Sequence, residues 1–399
     1  MIYCDCIIIG AGASGLLAAS LMEAPASFRG LILEATGRPG TKLLLTGGGH
    51  CNYTHAGSVK DFVSRYGDSG RKIRTLLYRY NNQAFRDFLE AHGIPSVTQE
   101  DGRVFPASMR ASDIRDLLLD LASGNGFQIR TDARVTRLQP SDGGRGYSLR
   151  TADGEAFTAP RVIVATGGCS YPGTGSDGGM FDVLRRDLGL AVTPLLPGLL
   201  PVEVAEYPYA ELAGITLPDC EVAREIAGAK TVRQIGPVLL THRGFSGPPI
   251  LNLSRSVREE AILKINYLYP KRREEVLEEL QRTLNRPGTA PLTALAGLYP
   301  LPKRFLQELL RQSGATVSAK RLASLLTEDR FTVRPGTDWQ QAMVTCGGVS
   351  LEEVDLRTLE CLRYPGLFII GEALDVDGDT GGYNLQFAFS SSAACVNKS

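Results

Sequence analysis

A short apolar run that feeds straight into a glycine turn constrains this chain more than any other feature of its sequence. Cys6-Ile7-Ile8-Ile9 has the composition of a strand buried on both faces of a parallel sheet. It continues into Gly10-Ala11-Gly12-Ala13-Ser14-Gly15 and then into the helix-like stretch Leu16 to Met22. A second apolar run, Gly30-Leu31-Ile32-Leu33, ends at Glu34, 19 residues past Gly15. This is a dinucleotide-binding fingerprint in its full context. The first glycine permits a tight turn, the second lets backbone approach a pyrophosphate, and the third allows close helix–strand packing. The carboxylate then receives a ribose hydroxyl. The chain contains its own control: Gly173-Thr174-Gly175-Ser176-Asp177-Gly178 has the same spacing but follows Tyr171-Pro172, not a strand. That copy reads as a loop.

Two further strands end in small residues. Arg161-Val162-Ile163-Val164 runs into Ala165-Thr166-Gly167-Gly168, and Gly366-Leu367-Phe368-Ile369-Ile370 runs into Gly371-Glu372. In an open α/β sheet, ligand binds beyond the carboxyl ends of such strands.

Composition narrows the class. The 44 glycines, about 11% of the chain, cluster in short runs instead of recurring every third residue, so they mark close backbone approach and not collagen. Lys plus Arg equals Asp plus Glu at 43 each, which gives no global pull toward nucleic acid or an anionic membrane. No apolar run approaches the roughly 18 residues of a membrane helix. Ile7 to Met22 lacks the basic flank of a signal peptide and is broken by glycines. Eight cysteines without a CxxC and four histidines without HExxH point to reduced thiols and no metal centre, as in a cytoplasmic protein.

The fingerprint, the mid-chain ATGG strand and the late strand-Gly-Glu together resemble the two-dinucleotide-binding-domain flavoproteins, which bind FAD. Four longer stretches sharpen the resemblance: Thr41 to Asn52 (TKLLLTGGGHCN), Val104 to Ser108 with Ala111-Ser112-Asp113, Thr241 to Pro248 (THRGFSGP), and Asp375 to Gln386 (DVDGDTGGYNLQ). With these the chain resembles, over nearly its whole length, the bacterial BaiN/YhiN-like (HI0933-like, aminoacetone oxidase-like) flavoprotein family. The resemblance implies an α/β fold with an FAD/NAD(P)-binding Rossmann-like domain, an inserted β-barrel-like domain and a helical subdomain. It also implies where FAD lies. Gly10, Gly12, Ala13, Ser14 and Gly15 would form the turn at the pyrophosphate, with Glu34 at the adenosine ribose and Ala35 beside it in the cofactor site. Ala165, Thr166, Gly167 and Gly168 would lie near the adenine and pyrophosphate, and Val135 would also contact the cofactor. Gly371 and Glu372 would cover the pyrophosphate–ribityl portion. Lys42, Gly48, Gly49, Cys51 and Asn52 would pass near the pyrophosphate and ring. Gly382, Asn384, Leu385 and Gln386 would start a helix whose positive end faces the flavin N1–C2=O edge.

The protein then has one proton to move, and His50, Tyr171, Cys346 and Tyr383 are the candidates. The chain departs from the family at His50, where Arg or Lys is usual, and at Cys346, where a small residue is usual. No second strand-GxGxxG-helix unit is present, so NAD(P)H, if it is the donor, binds without its own Rossmann domain. The expected activity is NAD(P)H-driven reduction of an activated C=C or similar group in an unidentified, small-molecule substrate. The alternatives are an amine oxidase that reduces O2 to H2O2, an RNA-modifying reductase acting on uridine in rRNA, and a protein in which FAD is structural. Oligomeric state stays open.

For domains, the sequence indicates a discontinuous FAD-binding unit (1–190 plus 345–399), a β-rich insertion (191–257 plus 331–344) and a helical subdomain (258–330). Residues 127–164 read as a β-meander broken at Asp142-Gly143-Gly144 and Asp153-Gly154, and a helical excursion spans 60–120. Within residues 60–86 of that excursion, Lys60, Arg65, Arg71, Lys72, Arg74, Arg79 and Arg86 stand against only Asp61 and Asp68. This is a solvated helix face or a site for phosphate, NADPH or structured RNA.

Overall fold

The computed structural model describes residues 1–141, 146–257, 261–284, 290–314, 317–334, 336 and 338–397. The chain divides into two compact units, Met1–Pro197 with Ala342–Ser399, and Gly198–Gln341.

The first unit is built on a five-stranded parallel sheet. Its strands run Leu367–Ile369, Arg161–Val164, Cys6–Ile9, Gly30–Leu33 and Phe127–Arg130 across the sheet. Every residue of Cys6–Ile9 and Gly30–Leu33 is buried, as strands covered on both faces require. The strand order reverses at Cys6–Ile9: the chain moves outward through Gly30–Leu33 on one side and returns through Arg161–Val164 on the other. That reversal opens a crevice at the strand carboxyl ends.

Helix Ala13–Leu21 packs against helices Ala111–Gly124 and Tyr383–Val396. Small residues make this approach possible. Ser390, Ser391 and Ser392 are fully buried, and each hydroxyl donates to a carbonyl, Ser392 reaching Ser14 O at 2.8 Å.

The 127–164 stretch divides differently from a simple meander. Val135–Pro140, Tyr147–Thr151 and Ala156–Ala159 form antiparallel pairs, while Phe127–Arg130 and Arg161–Val164 join the parallel sheet. The Asp153-Gly154 break is a turn closed by Thr151 N–H to Glu155 O, with Gly154 at φ +92°. Asp142-Gly143-Gly144 lies outside the described residues. The 60–120 excursion is not all helical, because Ser96–Thr98 pairs antiparallel with Arg103–Pro106, which in turn pairs with Thr54–His55.

The second unit contains a closed six-stranded barrel: Val202–Val204, Gly244–Ser246, Val232–Leu240, Thr216–Glu225, Ile262–Asn266 and Asp329–Arg334. Helices Arg273–Leu284, Pro291–Leu298, Lys303–Gln312 and Ala319–Thr327 share its hydrophobic core. Strand Ile262–Asn266 falls inside the stretch whose sequence reads as helical. Leu263 and Ile265 point inward and alternate with more accessible neighbours, a period-2 signal too short to outweigh the long helices beside it.

A carboxylate sits in this core. Asp329 is 8% exposed, and Oδ2 accepts hydrogen bonds from the hydroxyls of Tyr209 and, at 3.0 Å, Tyr267. Burial pushes the Asp329 carboxyl up to about 6, against the pull of the tyrosine hydroxyls. A folded-state pKa above the unfolded one means that the native state holds the extra proton. The stabilising contribution is complete below about pH 4 and is lost as pH rises through 6. Relative to Asp329→Asn, the wild-type chain is therefore expected to lose about 2 kcal/mol of stability between pH 4 and pH 7, read by urea unfolding. A constant difference between the two proteins across that window would refute the assignment.

Candidate functional site

The three fingerprint glycines meet three different demands. Gly10 has φ +101°, and a Cβ there would lie 2.7 Å from the Ala165 carbonyl oxygen. At Gly15 a Cβ would lie 2.0 Å from the Gly10 carbonyl oxygen, so helix and turn touch with no room for a methyl group. Gly12 differs from both. Its φ of −82° and ψ of −171° suit any residue, and nothing lies within 4 Å of its Cβ position. The open space beside it is a cavity of about 480 Å³ at the sheet crevice.

Gly10, Gly12, Ala13 and Ser14 line this cavity, as do Glu34, Ala35 and Val135. Ala165, Thr166, Gly167 and Gly168, at the end of the neighbouring strand, line it as well. The Glu34 carboxylate is held in place by its neighbours: Ala11 N–H donates to Oε2 at 2.9 Å, and Thr36 N–H and Oγ1 donate to Oε1 at 2.8 Å. Oε2 keeps capacity for a further donor such as a ribose hydroxyl.

The second glycine loop also lines the cavity, which the sequence reading did not anticipate. Thr174 to Gly178 close over Glu34, and a Cβ on Gly175 would lie 3.3 Å from Glu34 Oε1. Ser176, only 6% exposed, has a buried Oγ with no hydrogen-bond partner among the described residues, and a Cβ on the lining residue Gly167 would lie 2.9 Å from it. A buried hydroxyl without a partner is costly unless a ligand completes it. The spacing of glycines was the available signal; the missing strand before it hid its role, because here the loop supplies a wall and not a strand–helix turn.

A compact polar node borders the same cavity. Lys42 Nζ donates to Glu372 Oε2 at 2.7 Å and to Ser170 Oγ at 2.6 Å. Glu372 Oε1 accepts from Thr345 N–H at 2.7 Å and from Ser170 Oγ at 3.0 Å. Thr345 Oγ1 in turn accepts from Cys169 N–H at 2.7 Å, and a Cβ on Gly168 would strike it at 2.1 Å. Four segments distant in sequence are thus fastened around one carboxylate. Lys42 and Glu372 both line the cavity; Ser170 and Thr345 are residues that sequence reasoning missed. At a further edge, Asn384 and Leu385 bring the first turn of helix Tyr383–Val396 to the lining, with Gly382 as N-cap at φ +94°.

Other expected residues sit behind this surface. Gly371 abuts Ser14, whose Oγ a Cβ would meet at 2.0 Å, and Gly382 lies against Thr54 O in the same way at 2.4 Å. Gln386 is fully buried between Thr54, Tyr80 and Ser390. Asn52 donates to Thr54 O and Val104 O, and burial pushes the Cys51 thiol up to about 12. Gly48 and Gly49 belong to a left-handed turn, Gly47 to Gly49, that follows the lining residue Thr46.

The four proton-transfer candidates are not brought together at the cavity wall. Tyr383 is 4% exposed, stacked on His55 at 5.4 Å and edge-on to Phe62 at 4.9 Å, with its hydroxyl pushed up by burial. Tyr171 holds a left-handed φ of +54° at the start of the second glycine loop. Cys346 is half-buried beside Thr345. His50 closes the Gly47–Gly49 turn, its Nδ1 2.8 Å from the Met109 carbonyl.

These observations fit a dinucleotide cofactor: an open cradle beside Gly12, an orphaned Ser176 hydroxyl, and a positioned carboxylate at Glu34. They also separate two substitutions. Gly12→Val is expected to give a folded protein with wild-type circular dichroism and no bound flavin. Gly15→Ala is expected to lower the melting temperature of the chain itself, because its methyl group strikes backbone. A Gly12→Val protein that purifies yellow with full flavin content would show that the cavity beside Gly12 is not the cofactor's.

The HI0933-like protein Rossmann domain model matches residues 4–398. A ribosomal RNA dihydrouridine synthase of Escherichia coli (strain K12) is 33% identical over 98% of this chain and 97% of its own length. A 3-dehydro-bile acid delta(4,6)-reductase of Clostridium scindens is 30% identical over 96% of this chain and 95% of its own. Among solved structures, a 3-ketosteroid-delta4-(5alpha)-dehydrogenase from Rhodococcus jostii RHA1 shares the fold, with a TM-score of 0.52 at 15% identity over 100% of this chain and 97% of that one. The chain belongs to the HI0933-like family and is an FAD-dependent oxidoreductase built on a Rossmann-type cofactor domain.

Proposed function

We propose that this enzyme uses NAD(P)H to reduce a carbon–carbon double bond conjugated to a carbonyl group. The observation that carries the reading is what the two relatives' named activities share: dihydrouridine formation and delta(4,6) reduction each saturate a C=C bond. In a pyrimidine or an enone, such a bond is polarised by a carbonyl and takes up a hydride at one carbon and a proton at the other. The balance is simple: NAD(P)H becomes NAD(P)+, and its hydride together with one proton ends on the two alkene carbons. Bound FAD supplies the hydride-carrying chemistry.

The chain's residues supply position, electrostatics and the proton. The N-terminal turn of helix Tyr383–Val396 presents its positive end where Asn384 and Leu385 line the cavity, favouring negative charge there. Lys42 is held at the cavity edge by Glu372 and Ser170, so its cation is fixed before any ligand arrives. His50 is the proton carrier in this reading. The Met109 carbonyl can only accept, so Nδ1 bears the hydrogen and Nε2 stays open to exchange a proton.

Two experiments test the reading. In anaerobic stopped-flow mixing, NADH or NADPH should bleach the flavin absorbance quickly, and an enone or a uridine-containing RNA should restore it faster than air does. If neither nucleotide bleaches it, electrons come from the substrate itself and amine oxidation replaces this reading. For His50→Gln, substrate turnover should fall by about a hundredfold, while flavin content and the bleaching rate stay at wild-type values. Unchanged turnover would remove His50 from the mechanism.

A further inference from the structure

The segment from Ser69 to Tyr80 is amphipathic in an unusual way. Two helices, Ser69–Lys72 and Arg74–Arg79, follow each other with a single residue between them. Ile73, Leu76 and Leu77 are buried at 1–3% exposure, the spacing of one helical face, and Arg74–Arg79 packs on helix Tyr383–Val396. The anchorage is also polar: Ser390 Oγ and Gln386 Nε2 donate to Tyr80 O at 2.6 and 3.1 Å, and Ser69 Oγ donates to Asp375 O at 3.1 Å. This face is therefore rigidly mounted on the helix whose first turn lines the cofactor cavity.

The opposite face carries Arg71, Lys72, Arg74, Tyr78 and Arg79, all exposed. Ser69 to Tyr80 contains no acidic residue, in a chain whose charges otherwise balance. A solvated helix usually intersperses signs at three- and four-residue spacing. Here Arg71 and Arg74 form no ion pair among the described residues, whereas Lys72 stands close enough to Asp375 to favour its charged form and Arg65 on the preceding helix has Asp379 3.6 Å away. Tyr78 is 47% exposed, and the Arg74 guanidinium stands over its ring, 5.4 Å from the centroid. Exposed cations on both sides of an exposed, arginine-stacked aromatic ring match a phosphodiester strand. The cations neutralise phosphates and the ring face offers a base a stacking platform. A lipid surface would meet the same cations but needs apolar side chains to insert, and Tyr78 is the one aromatic ring on this face.

We infer that the outward face of Ser69–Tyr80 is an RNA-docking surface, with Arg71, Lys72, Arg74 and Arg79 on the backbone phosphates and Tyr78 stacked on a base. The inference rests on the reductase reading only for the fate of the docked strand, in which a uridine is the conjugated alkene that is reduced.

The test uses the full-length flavoprotein and a fluorescently labelled, unmodified ribosomal RNA transcript made in vitro, with affinity measured over a range of salt. Wild-type binding should weaken steeply with salt. Arg71→Glu/Arg74→Glu should weaken it at least about tenfold and flatten the slope of log K against log salt by about two. Tyr78→Ala should weaken binding about tenfold with the slope unchanged. Flavin content and NADPH bleaching should be the same in all three proteins. The inference is overturned if RNA does not bind, or if the charge-reversed protein binds it with wild-type affinity and slope. It is also overturned if the proteins bind phosphatidylserine vesicles instead of RNA, or if charge reversal slows NADPH bleaching, which would assign the patch to the nucleotide. The two readings fail separately. Patch-dependent RNA binding without bleaching by either nucleotide sinks the reductase and leaves the docking surface. Enone reduction without RNA binding does the reverse.

Discussion

The contact between Gly15 and the carbonyl of Gly10 is the point on which the cofactor unit turns. A would-be Cβ on residue 15 would lie only 2.0 Å from that carbonyl oxygen, so helix Ala13–Leu21 can begin where it does because residue 15 lacks a side chain. Gly10 in turn lies on the Ala165 carbonyl, so the same few atoms join the first strand, the first helix and the mid-chain strand at the reversal of strand order. The crevice is a consequence of that packing. Gly12, between them, is left with nothing to pack against, and backbone N–H groups at a helix start are exposed to whatever occupies the cavity.

Glu372 performs the equivalent task at the other end of the crevice. Buried and half-buried donors from residues 42, 170 and 345 converge on its two oxygens. A carboxylate so fully engaged restrains Lys42, and it ties the last strand of the sheet to the early glycine-rich segment. Such a node does two things at once: it fixes the geometry of the cavity edge and it sets the charge there before a ligand arrives. The exposed cationic face of Ser69–Tyr80 is mounted on the same helix that bounds the cavity, so recognition and chemistry share one rigid support.

The parts of this architecture that were legible in the sequence are those governed by local sterics. Cys6–Ile9 reads as a doubly buried strand because it contains nothing that needs water, and the fingerprint glycines read as a turn because their spacing answers to backbone contacts. The barrel was only partly legible. Ile262–Asn266 is a five-residue strand between helices, and its pairing partners, Thr216–Glu225 and Asp329–Arg334, lie far away along the chain. Strand pairing of that kind depends on non-local hydrogen bonds that no window of sequence contains.

The chain by itself determined a dinucleotide turn, a parallel sheet around it and the identity of Glu34 as its carboxylate, since each follows from spacing within some thirty residues. Tertiary structure alone decided the rest of the site. It brought the second glycine loop over Glu34, left the buried Ser176 hydroxyl beside Gly167 without a partner among the described residues, and gathered Lys42, Ser170, Thr345 and Glu372 into one node. It also turned Gln386 and Tyr383 inward, although their motif had placed them among the site residues. The reason is physical: a helix start or a glycine turn is encoded by its own residues, whereas the direction a side chain faces is set by what other segments pack against it.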